Sequence, residues 1–194
     1  MIVLASGSEI RAQLLTRAGV ILDRVPSRVD EDAIKHAMKD EPARDVADAL
    51  AQAKAIKVSA KRPSDLTIGC DQLLVLEGAV ESKAETPEAQ VAQLSRLAGK
   101  THDLISAAVI CEHGRPIWRA ISTVKMHMKP LSGTFFEDYV DRNWSEIRHA
   151  VGGYLIEDEG PRLFHRIEGD HFAILGLPLL QILSFLETRG ELRT

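Results

Sequence analysis

Residues 2–11 read Ile-Val-Leu-Ala-Ser-Gly-Ser-Glu-Ile-Arg, and the rest of the expected fold is built around this stretch. The apolar run 2–5 predicts a buried strand, and Ser6-Gly7-Ser8 predicts a tight turn. A helix is expected from Glu9 to Ala18, with Ser8 as its N-cap and Gly19 just past its end. The chain therefore opens with a strand, a turn and a helix.

The turn between this strand and helix is a candidate phosphate-binding site. Backbone N–H groups at a helix N-terminus have no partners within the helix, and together with the helix dipole they attract an anion. The hydroxyl groups of Ser6 and Ser8 and the guanidinium group of Arg11 would add further donors. The alternative is an ordinary capped helix that carries a surface arginine.

The rest of the chain mixes predicted strands and helices without strict alternation. Strands are expected at 20–25, 66–76, 104–111 and 116–128, a hairpin at 153–156 with 163–167, and helices at 45–60, 87–98, 133–140 and 178–190. This mixture predicts an α/β protein with a mixed, twisted sheet and flanking helices. With 194 residues we expect one domain, spanning 1–194, with room for two lobes.

Composition excludes several classes of protein. The 24 basic and 28 acidic residues give a net charge of −4, which argues against a partner that is a nucleic-acid polymer but allows a small polyanion. No run approaches 18 apolar residues, so no membrane span is expected. Cys70 and Cys111 do not make a disulfide scaffold, and Cys70 is expected to be a buried free thiol. The N-terminus does not resemble a signal peptide, so we expect a cytoplasmic protein.

Two charged residues occupy positions where the pattern is otherwise apolar. Lys54 falls in the apolar stripe of its helix, so its side chain either extends past the stripe to water or reaches an anionic ligand in a polar cavity. Asp71 lies inside the apolar strand 66–76. A buried carboxylate there is costly unless it is paired or faces a cleft or a metal ion. This cost favours a functional role for Asp71 over a structural one.

Three further features do not decide between a structural and a functional role. Gln72 points to the opposite face of the strand from Asp71, unless Gly69 introduces a bend that brings both to one site. The trio Asp30-Glu31-Asp32 is either a solvated acidic run or the source of a carboxylate for a divalent cation such as Mg²⁺. Lys83 lies in a short polar loop that by itself indicates nothing.

Taken together, these stretches resemble the Maf family of nucleoside triphosphate pyrophosphatases. No single stretch is specific, but their order and spacing cover nearly the whole chain. The matching stretches are Leu4-Ala5-Ser6-Gly7-Ser8 with Arg11, Val29-Asp30-Glu31, Ala51-Gln52-Ala53-Lys54-Ala55, Ile68-Gly69-Cys70-Asp71-Gln72, Lys83, Leu97-Ala98-Gly99-Lys100-Thr101-His102, Gly152-Gly153-Tyr154, Glu168-Gly169-Asp170 and Gly176-Leu177-Pro178-Leu179.

The resemblance implies two lobes around a nucleotide cleft, a fold shared with inosine triphosphate pyrophosphatases, and a homodimer. It implies hydrolysis between the α- and β-phosphates to a nucleoside monophosphate and pyrophosphate, with Mg²⁺ or Mn²⁺. Asp71 falls on the family's catalytic position and would orient or deprotonate the attacking water. Glu31, together with Asp71, would hold the metal ion. The substrate-binding positions implied are Ser8, Arg11, Lys54 and Lys83.

Ile10, Gln72 and Glu157 resemble the positions that distinguish branches of the family. Gln72 and Glu157 are similar to the branch that cleaves 7-methyl-GTP, whereas the dTTP and UTP branch has threonine and glutamine there. A carboxylate suits the N1–H and 2-amino edge of guanine, and methylation adds positive charge to that ring. Because Ile10 replaces an aromatic or arginine residue, hydrogen bonding is expected to matter more than stacking.

Other functions stay open beside 7-methyl-GTP hydrolysis. Within the same family, the substrate would be dTTP or UTP. A nucleotide-binding regulator of septum formation is a different class, and the intact Glu31, Lys54 and Asp71 argue against an inactive protein. An inosine or xanthosine triphosphate pyrophosphatase shares the general fold, but the Ser-Gly-Ser start and Cys70-Asp71-Gln72 fit the Maf family better.

Overall fold

The computed structural model describes residues 1–192 and shows a mixed α/β fold, as the sequence predicts. Its seven strands are β1 (Ile2–Leu4), β2 (Leu22–Arg24), β3 (Leu66–Leu76), β4 (Ala79–Glu81), β5 (Thr101–Glu112), β6 (Arg115–Met128) and β7 (Phe164–Glu168). Its seven α-helices are α1 (Glu9–Arg17), α2 (Glu31–Ala37), α3 (Ala43–Ser59), α4 (Pro87–Leu97), α5 (Gly133–Ile147), α6 (His171–Ile174) and α7 (Leu179–Thr188). None of the helices in these residues has the length and apolar character needed to cross a bilayer.

The sheet combines parallel and antiparallel pairs in the order β2-β1-β3-β5-β6-β7, with β4 paired to β3. Strand β1 is parallel to both of its neighbours, and Ile2 lies opposite Leu22 on β2 and Leu66 on β3. Strands β4 and β7 are antiparallel to β3 and β6 respectively. Parallel neighbours need a crossover connection, which α1 supplies between β1 and β2. The turn at 6–8 therefore follows the carboxyl end of an internal strand, where α/β sheets bind ligands.

The chain packs into two compact units, the first made of residues 1–72, 105–122 and the chain from 170 onward. Its core is an apolar cluster on β1, α1, β3, β5 and α7, with Leu4, Ile68 and Ile110 among the completely buried members. Cys70 and Cys111 are buried here as free thiols, as expected for Cys70. Burial raises the pKa of Cys111 to about 11. One domain over residues 1–194 stays a prediction.

The second unit comprises residues 73–104 and 123–169. Helices α4 and α5 contact each other in it, and its buried side chains include Leu94 and Phe136. The ring of Tyr154 packs edge-on against Phe164, with centroids 4.8 Å apart. The Tyr154 hydroxyl is hydrogen-bonded to His102 Nε2 at 2.7 Å. This contact joins two stretches that the sequence singles out, Gly99–His102 and Gly152–Tyr154.

The predicted hairpin at 153–156 and 163–167 is wrong. Strand β7 forms in the second half but pairs with β6, and residues 151–159 form no strand. Close packing explains the difference, because a Cβ atom at Gly153 would lie 1.9 Å from Gln90 Nε2, and Gly153 has a φ of +66°. Periodicity also missed β4 and α6, which have only three and four residues and so are too short to show it.

Gly69 lets helix α3 approach strand β3 closely. A Cβ atom on Gly69 would lie 2.2 Å from the carbonyl oxygen of Ala51 and 2.6 Å from the backbone nitrogen of Ala55. Strand β3 runs unbroken through this point, so the bend considered at Gly69 does not occur. The missing side chain instead allows the helix backbone to contact the strand. Lys54, which lies between Ala51 and Ala55, is thereby brought against the strand beside Asp71.

Replacing Gly69 tests this close packing. We expect Gly69→Ala to lower the free energy of unfolding by about 2–3 kcal/mol, because the methyl group must displace helix backbone. Urea denaturation measures the change. Gly133→Ala is the matched control, because a Cβ atom there meets nothing within 4 Å, and its effect should stay below about 0.5 kcal/mol. Equal stability of the two variants would contradict the packing argument.

His102 makes the second unit sensitive to acid. Burial lowers the pKa of His102 from 6.5 to about 4, with a smaller contribution from neighbouring His127 and against the opposing effect of Asp103. Between pH 6.5 and pH 4 the unfolded chain therefore binds the proton more readily than the folded chain. The folded state loses stability as the pH falls through this window and keeps it above pH 6.5. The shift corresponds to about 3 kcal/mol.

We expect His102→Gln to remove most of this loss, because an amide can still hydrogen-bond the Tyr154 hydroxyl but does not take up a proton. Denaturation midpoints at pH 7 and pH 4.5 measure it. His36→Gln, at an exposed position, should leave the pH dependence unchanged. If wild type and His102→Gln lose the same stability over this range, another group is responsible.

Candidate active site

A buried lysine lies between two carboxylates in the first unit. Lys54 Nζ lies 2.5 Å from Asp71 Oδ1 and 2.8 Å from Glu31 Oε1. Lys54 comes from the middle of α3, Asp71 from β3, and Glu31 is the first residue of α2. The family resemblance implied a functional position for each of these three residues, and the structure brings them together.

Burial distinguishes the three partners of this cluster. Lys54 is 7% exposed and Asp71 is 5% exposed, whereas the Glu31 side chain is 43% exposed. Burial by itself lowers the pKa of Lys54, but the attraction and hydrogen bond of Asp71, supported by those of Glu31, outweigh it and raise that pKa above its ordinary value. Lys54 therefore stays positively charged at neutral pH. Of the two alternatives for Lys54, the structure shows the inward orientation rather than a side chain extended to water.

The three acidic side chains at 30–32 have different environments. Asp30 is the N-cap of α2, and its Oδ1 accepts a hydrogen bond from Ala33 N at 2.9 Å. Asp32 is exposed. Only Glu31 is directed at Lys54, because the cap fixes where the helix starts and hence which side chain faces α3.

The donor set of this cluster fits a hard divalent cation. Asp71 Oδ1 and Glu31 Oε1 both contact Lys54 Nζ, so these two oxygens lie within about 5 Å of each other. Mg²⁺ is commonly held by one or two carboxylates, with water and substrate phosphate as its other ligands. Within residues 1–192 no group of three or more His, Cys, Asp or Glu side chains is arranged to hold a metal. The protein would thus supply only part of such a coordination shell.

Arg11 and the turn at 6–8 lie next to the same strand. Arg11 Nη1 donates to the carbonyl oxygen of Cys70 at 3.2 Å, one residue before Asp71. Gly176 leaves space for the guanidinium, since a Cβ atom there would lie 2.8 Å from Arg11 Nε. Ser8 occupies the N-cap position as predicted, but its side chain makes no capping bond, and its N–H donates to Ser6 Oγ at 3.2 Å. The Ser8 hydroxyl is therefore not used to cap the helix.

Gln72 is directed at different partners from Asp71. Its Nε2 lies 2.9 Å from Ile174 O, 3.0 Å from Ala173 O and 3.2 Å from Ser106 Oγ. Ser106 Oγ also donates to Ala173 O at 2.7 Å. The amide donors of Gln72 thus bind the protein itself and hold the end of α6. The amide oxygen of Gln72 is left to contact a ligand.

Ser106 and Gly176 are the residues that sequence reasoning missed as supports of the site. Ser106 is completely buried within the apolar run of β5, and that single polar residue was the available signal. The partners that Ser106 and Gln72 share in α6 lie 67 and 101 positions further along the chain. A single sequence does not indicate contacts over such a separation.

The remaining predicted site residues lie outside the cluster. Ile10 is half-buried in the first turn of α1. Lys83 and Glu157 belong to the second unit and are exposed, Lys83 just after β4 and Glu157 in the turns before β7. The roles of all three in binding or specificity stay predictions.

The buried ion pair can be tested by removing one or both of its partners. We expect Lys54→Met to lower the free energy of unfolding by about 3 kcal/mol, because Asp71 is left buried without its counter-charge. Lys54→Met combined with Asp71→Asn should recover most of that loss. The exposed pair of Lys100 with Glu77 is the control, and Lys100→Met should cost less than about 1 kcal/mol. Additive losses in the double variant would mean that Lys54 and Asp71 do not act as a pair.

Comparison with known protein sequences places this chain in a family. The sequence model described as Maf-like protein matches residues 1–189. A Ruegeria pomeroyi protein named nucleoside triphosphate pyrophosphatase is 50% identical over 100% of this chain and 98% of its own length. Proteins with the same name from Roseobacter denitrificans and Caulobacter vibrioides are 49% and 45% identical, each covering 98% of this chain, and 97% and 96% of their own lengths. The chain belongs to the Maf family.

Proposed function

We propose that this protein is a nucleoside triphosphate pyrophosphatase that cleaves 7-methyl-GTP between the α- and β-phosphates. The observation that carries the proposal is the buried Lys54 held between Asp71 and Glu31. A buried charge cluster is costly to maintain for stability alone, because apolar side chains of similar volume would serve as well. Membership of the Maf family, and the name that its relatives share, support the reaction class.

The roles of the phosphate-binding residues follow from their charge and position. A triphosphate carries several negative charges, which cationic side chains neutralise as charge builds up on the leaving pyrophosphate. Lys54 supplies such a charge from a site shielded from water, where electrostatic attraction is strong. We assign the remaining contacts to Arg11, to Lys83 and to the hydroxyl and backbone N–H groups of Ser8 at the start of α1.

Asp71 is the proposed general base. Its carboxylate accepts a proton from a water molecule whose oxygen forms a new bond to phosphorus. The α–β bridging P–O bond breaks, and pyrophosphate leaves with the bonding electron pair. Lys54 holds Asp71 Oδ1 at 2.5 Å, so the carboxylate has a fixed orientation before substrate binds.

Glu31 and Asp71 are the proposed ligands of a Mg²⁺ or Mn²⁺ ion. When bound, such an ion neutralises charge on the phosphoryl oxygens. Glu31 is the more exposed of the two carboxylates, with 43% of its side chain accessible, so a cation from solvent would reach it first. Asp71 stays fixed by the strand.

The preference for 7-methylguanine is assigned to Gln72 and Glu157. Glu157 would accept from the N1–H and 2-amino groups, and its charge favours the positively charged methylated ring. Gln72 contributes its amide oxygen, because its donors already bind Ser106, Ala173 and Ile174. Ile10 offers an apolar contact without an aromatic ring. A dTTP or UTP pyrophosphatase is the second candidate within the family.

Partners, cellular compartment and oligomeric state are proposed from composition, thiol burial and family resemblance. A substrate that is a small nucleotide, together with a net charge of −4, supports a protein that does not bind nucleic-acid polymers. Its two thiols are buried and unpaired, which suits the cytoplasm, where cysteines stay reduced. We propose that the protein forms a homodimer, as the family resemblance implies.

A pyrophosphate-release assay tests both the reaction and the substrate. With Mg²⁺ or Mn²⁺ present, we expect release from 7-methyl-GTP at a higher kcat/KM than from GTP, UTP or dTTP. Asp71→Asn should lower kcat at least about 100-fold, because the general base is lost. Asp138→Asn, at an exposed position on α5, is the matched control and should keep full activity.

Different negative results in this assay would contradict different parts of the proposal. A preference for UTP or dTTP would overturn the substrate and leave the enzyme class in place. Full activity in Asp71→Asn would refute the role of Asp71. No release from any nucleotide, combined with tight binding of nucleotide, would favour a nucleotide-binding regulator over an enzyme.

A further inference from the structure

Two glutamine side chains on helix α4 are almost completely buried, and the proposed chemistry does not use them. Gln90 is 1% exposed and Gln93 is 2% exposed. A buried carboxamide is costly unless its donors and acceptors are paired. The partners of these two amides therefore show which parts of the second unit they hold in place.

Gln93 holds the segment that carries Lys83. Its Nε2 donates to the carbonyl oxygen of Ser82 at 2.9 Å and lies 3.5 Å from Glu81 Oε2. That carbonyl belongs to the peptide group joining Ser82 to Lys83, so the bond fixes the backbone directly beside Lys83. Arg96, which follows on the same helix, pairs with Glu81 at 2.6 Å and fixes the preceding residue.

Gln90 extends the same contact to a second loop. Its Nε2 lies 2.9 Å from Gln93 Oε1 and 3.5 Å from the carbonyl oxygen of Gly152. Gly153 packs on the same amide, because a Cβ atom there would overlap it at 1.9 Å. The amide pair thus joins the Lys83 segment to the loop at 152–154.

We propose that Gln93 is a positioning residue for Lys83, an inference that rests on the proposed role of Lys83 in binding the triphosphate. A long, flexible lysine on an unrestrained loop loses conformational freedom when it binds phosphate, and that loss weakens binding. The bond from Gln93 to Ser82 restrains the backbone before the ligand arrives. Gln90 occupies the acceptor of Gln93, which leaves the Gln93 donors directed at the Lys83 segment.

A double-mutant cycle with Lys83 tests this role. Gln93→Met keeps the volume of the side chain but removes its hydrogen bonds. We expect it to raise about tenfold the Kd for an α,β-methylene nucleoside triphosphate, which cannot be cleaved. In a Lys83→Met background the same substitution should raise Kd less than about twofold, because its effect acts through Lys83. With cleavable substrate, KM should rise by a larger factor than kcat falls.

Two further variants separate positioning from general loss of structure. Gln93→Leu also lacks a donor for Ser82 and introduces no buried charge, so we expect the same weakening. Ser95→Ala is the control on the same helix, since its hydroxyl bonds the Val91 carbonyl at 2.8 Å within α4. Backbone order parameters from ¹⁵N relaxation at residues 82–85 should fall in both Gln93 variants and stay unchanged in Ser95→Ala.

Equal effects of Gln93→Met in the wild-type and Lys83→Met backgrounds would overturn the positioning role. Unchanged order parameters at residues 82–85 would overturn it as well. Failure of the proposed activity gives a separate result. The wild-type protein would then bind the analogue but release no pyrophosphate from any nucleotide. If the wild-type protein does not bind the analogue, the proposed substrate class is wrong, and the order parameters still decide whether Gln93 holds the segment.

Discussion

The charge placed inside the first unit by Lys54 is the constraint on which the site depends. An ammonium group at that depth requires carboxylates around it, and Asp71 and Glu31 supply them from a strand and from a separate helix. The arrangement also requires α3 to lie against β3 closely enough for a lysine side chain to meet a strand carboxylate. Gly69 makes that approach possible, since any side chain there would overlap the helix backbone. Gly69 is therefore required for the contact between Lys54 and Asp71, although it belongs to neither side chain.

The residues that were predictable from sequence are those at odds with their surroundings. Lys54 in an apolar stripe and Asp71 in an apolar strand were both identifiable, because burying a charge is costly whatever the fold. The α/β class followed from the opening strand, turn and helix and from the mixed pattern after them, and β3 has the bounds that its apolar run predicted. Glu31 was identified as a site residue only by the family resemblance, because nothing in Asp30-Glu31-Asp32 indicates which carboxylate is directed into the protein.

The remaining features depend on contacts between distant parts of the chain. Gln72 looked like a possible partner of Asp71, but its donors bind the end of α6, about a hundred positions away. The hairpin at 153–156 was expected from local pattern, yet Gly153 packs on an amide of α4 and Tyr154 turns inward to His102. In each case a polar side chain at least partly shielded from water bonds a distant part of the chain, and local periodicity does not indicate that partner.

The burial of Cys70 and Cys111 has a practical consequence for spectroscopy. A thiol reacts with maleimides and iodoacetamides as the thiolate, and it must be accessible to the reagent. Both native thiols are completely buried, and that of Cys111 stays protonated at neutral pH. A single cysteine introduced at an exposed position, such as Ser82, would therefore be labelled selectively without removing the native ones. A fluorophore attached there would report the order of the Lys83 segment in the otherwise unmodified protein.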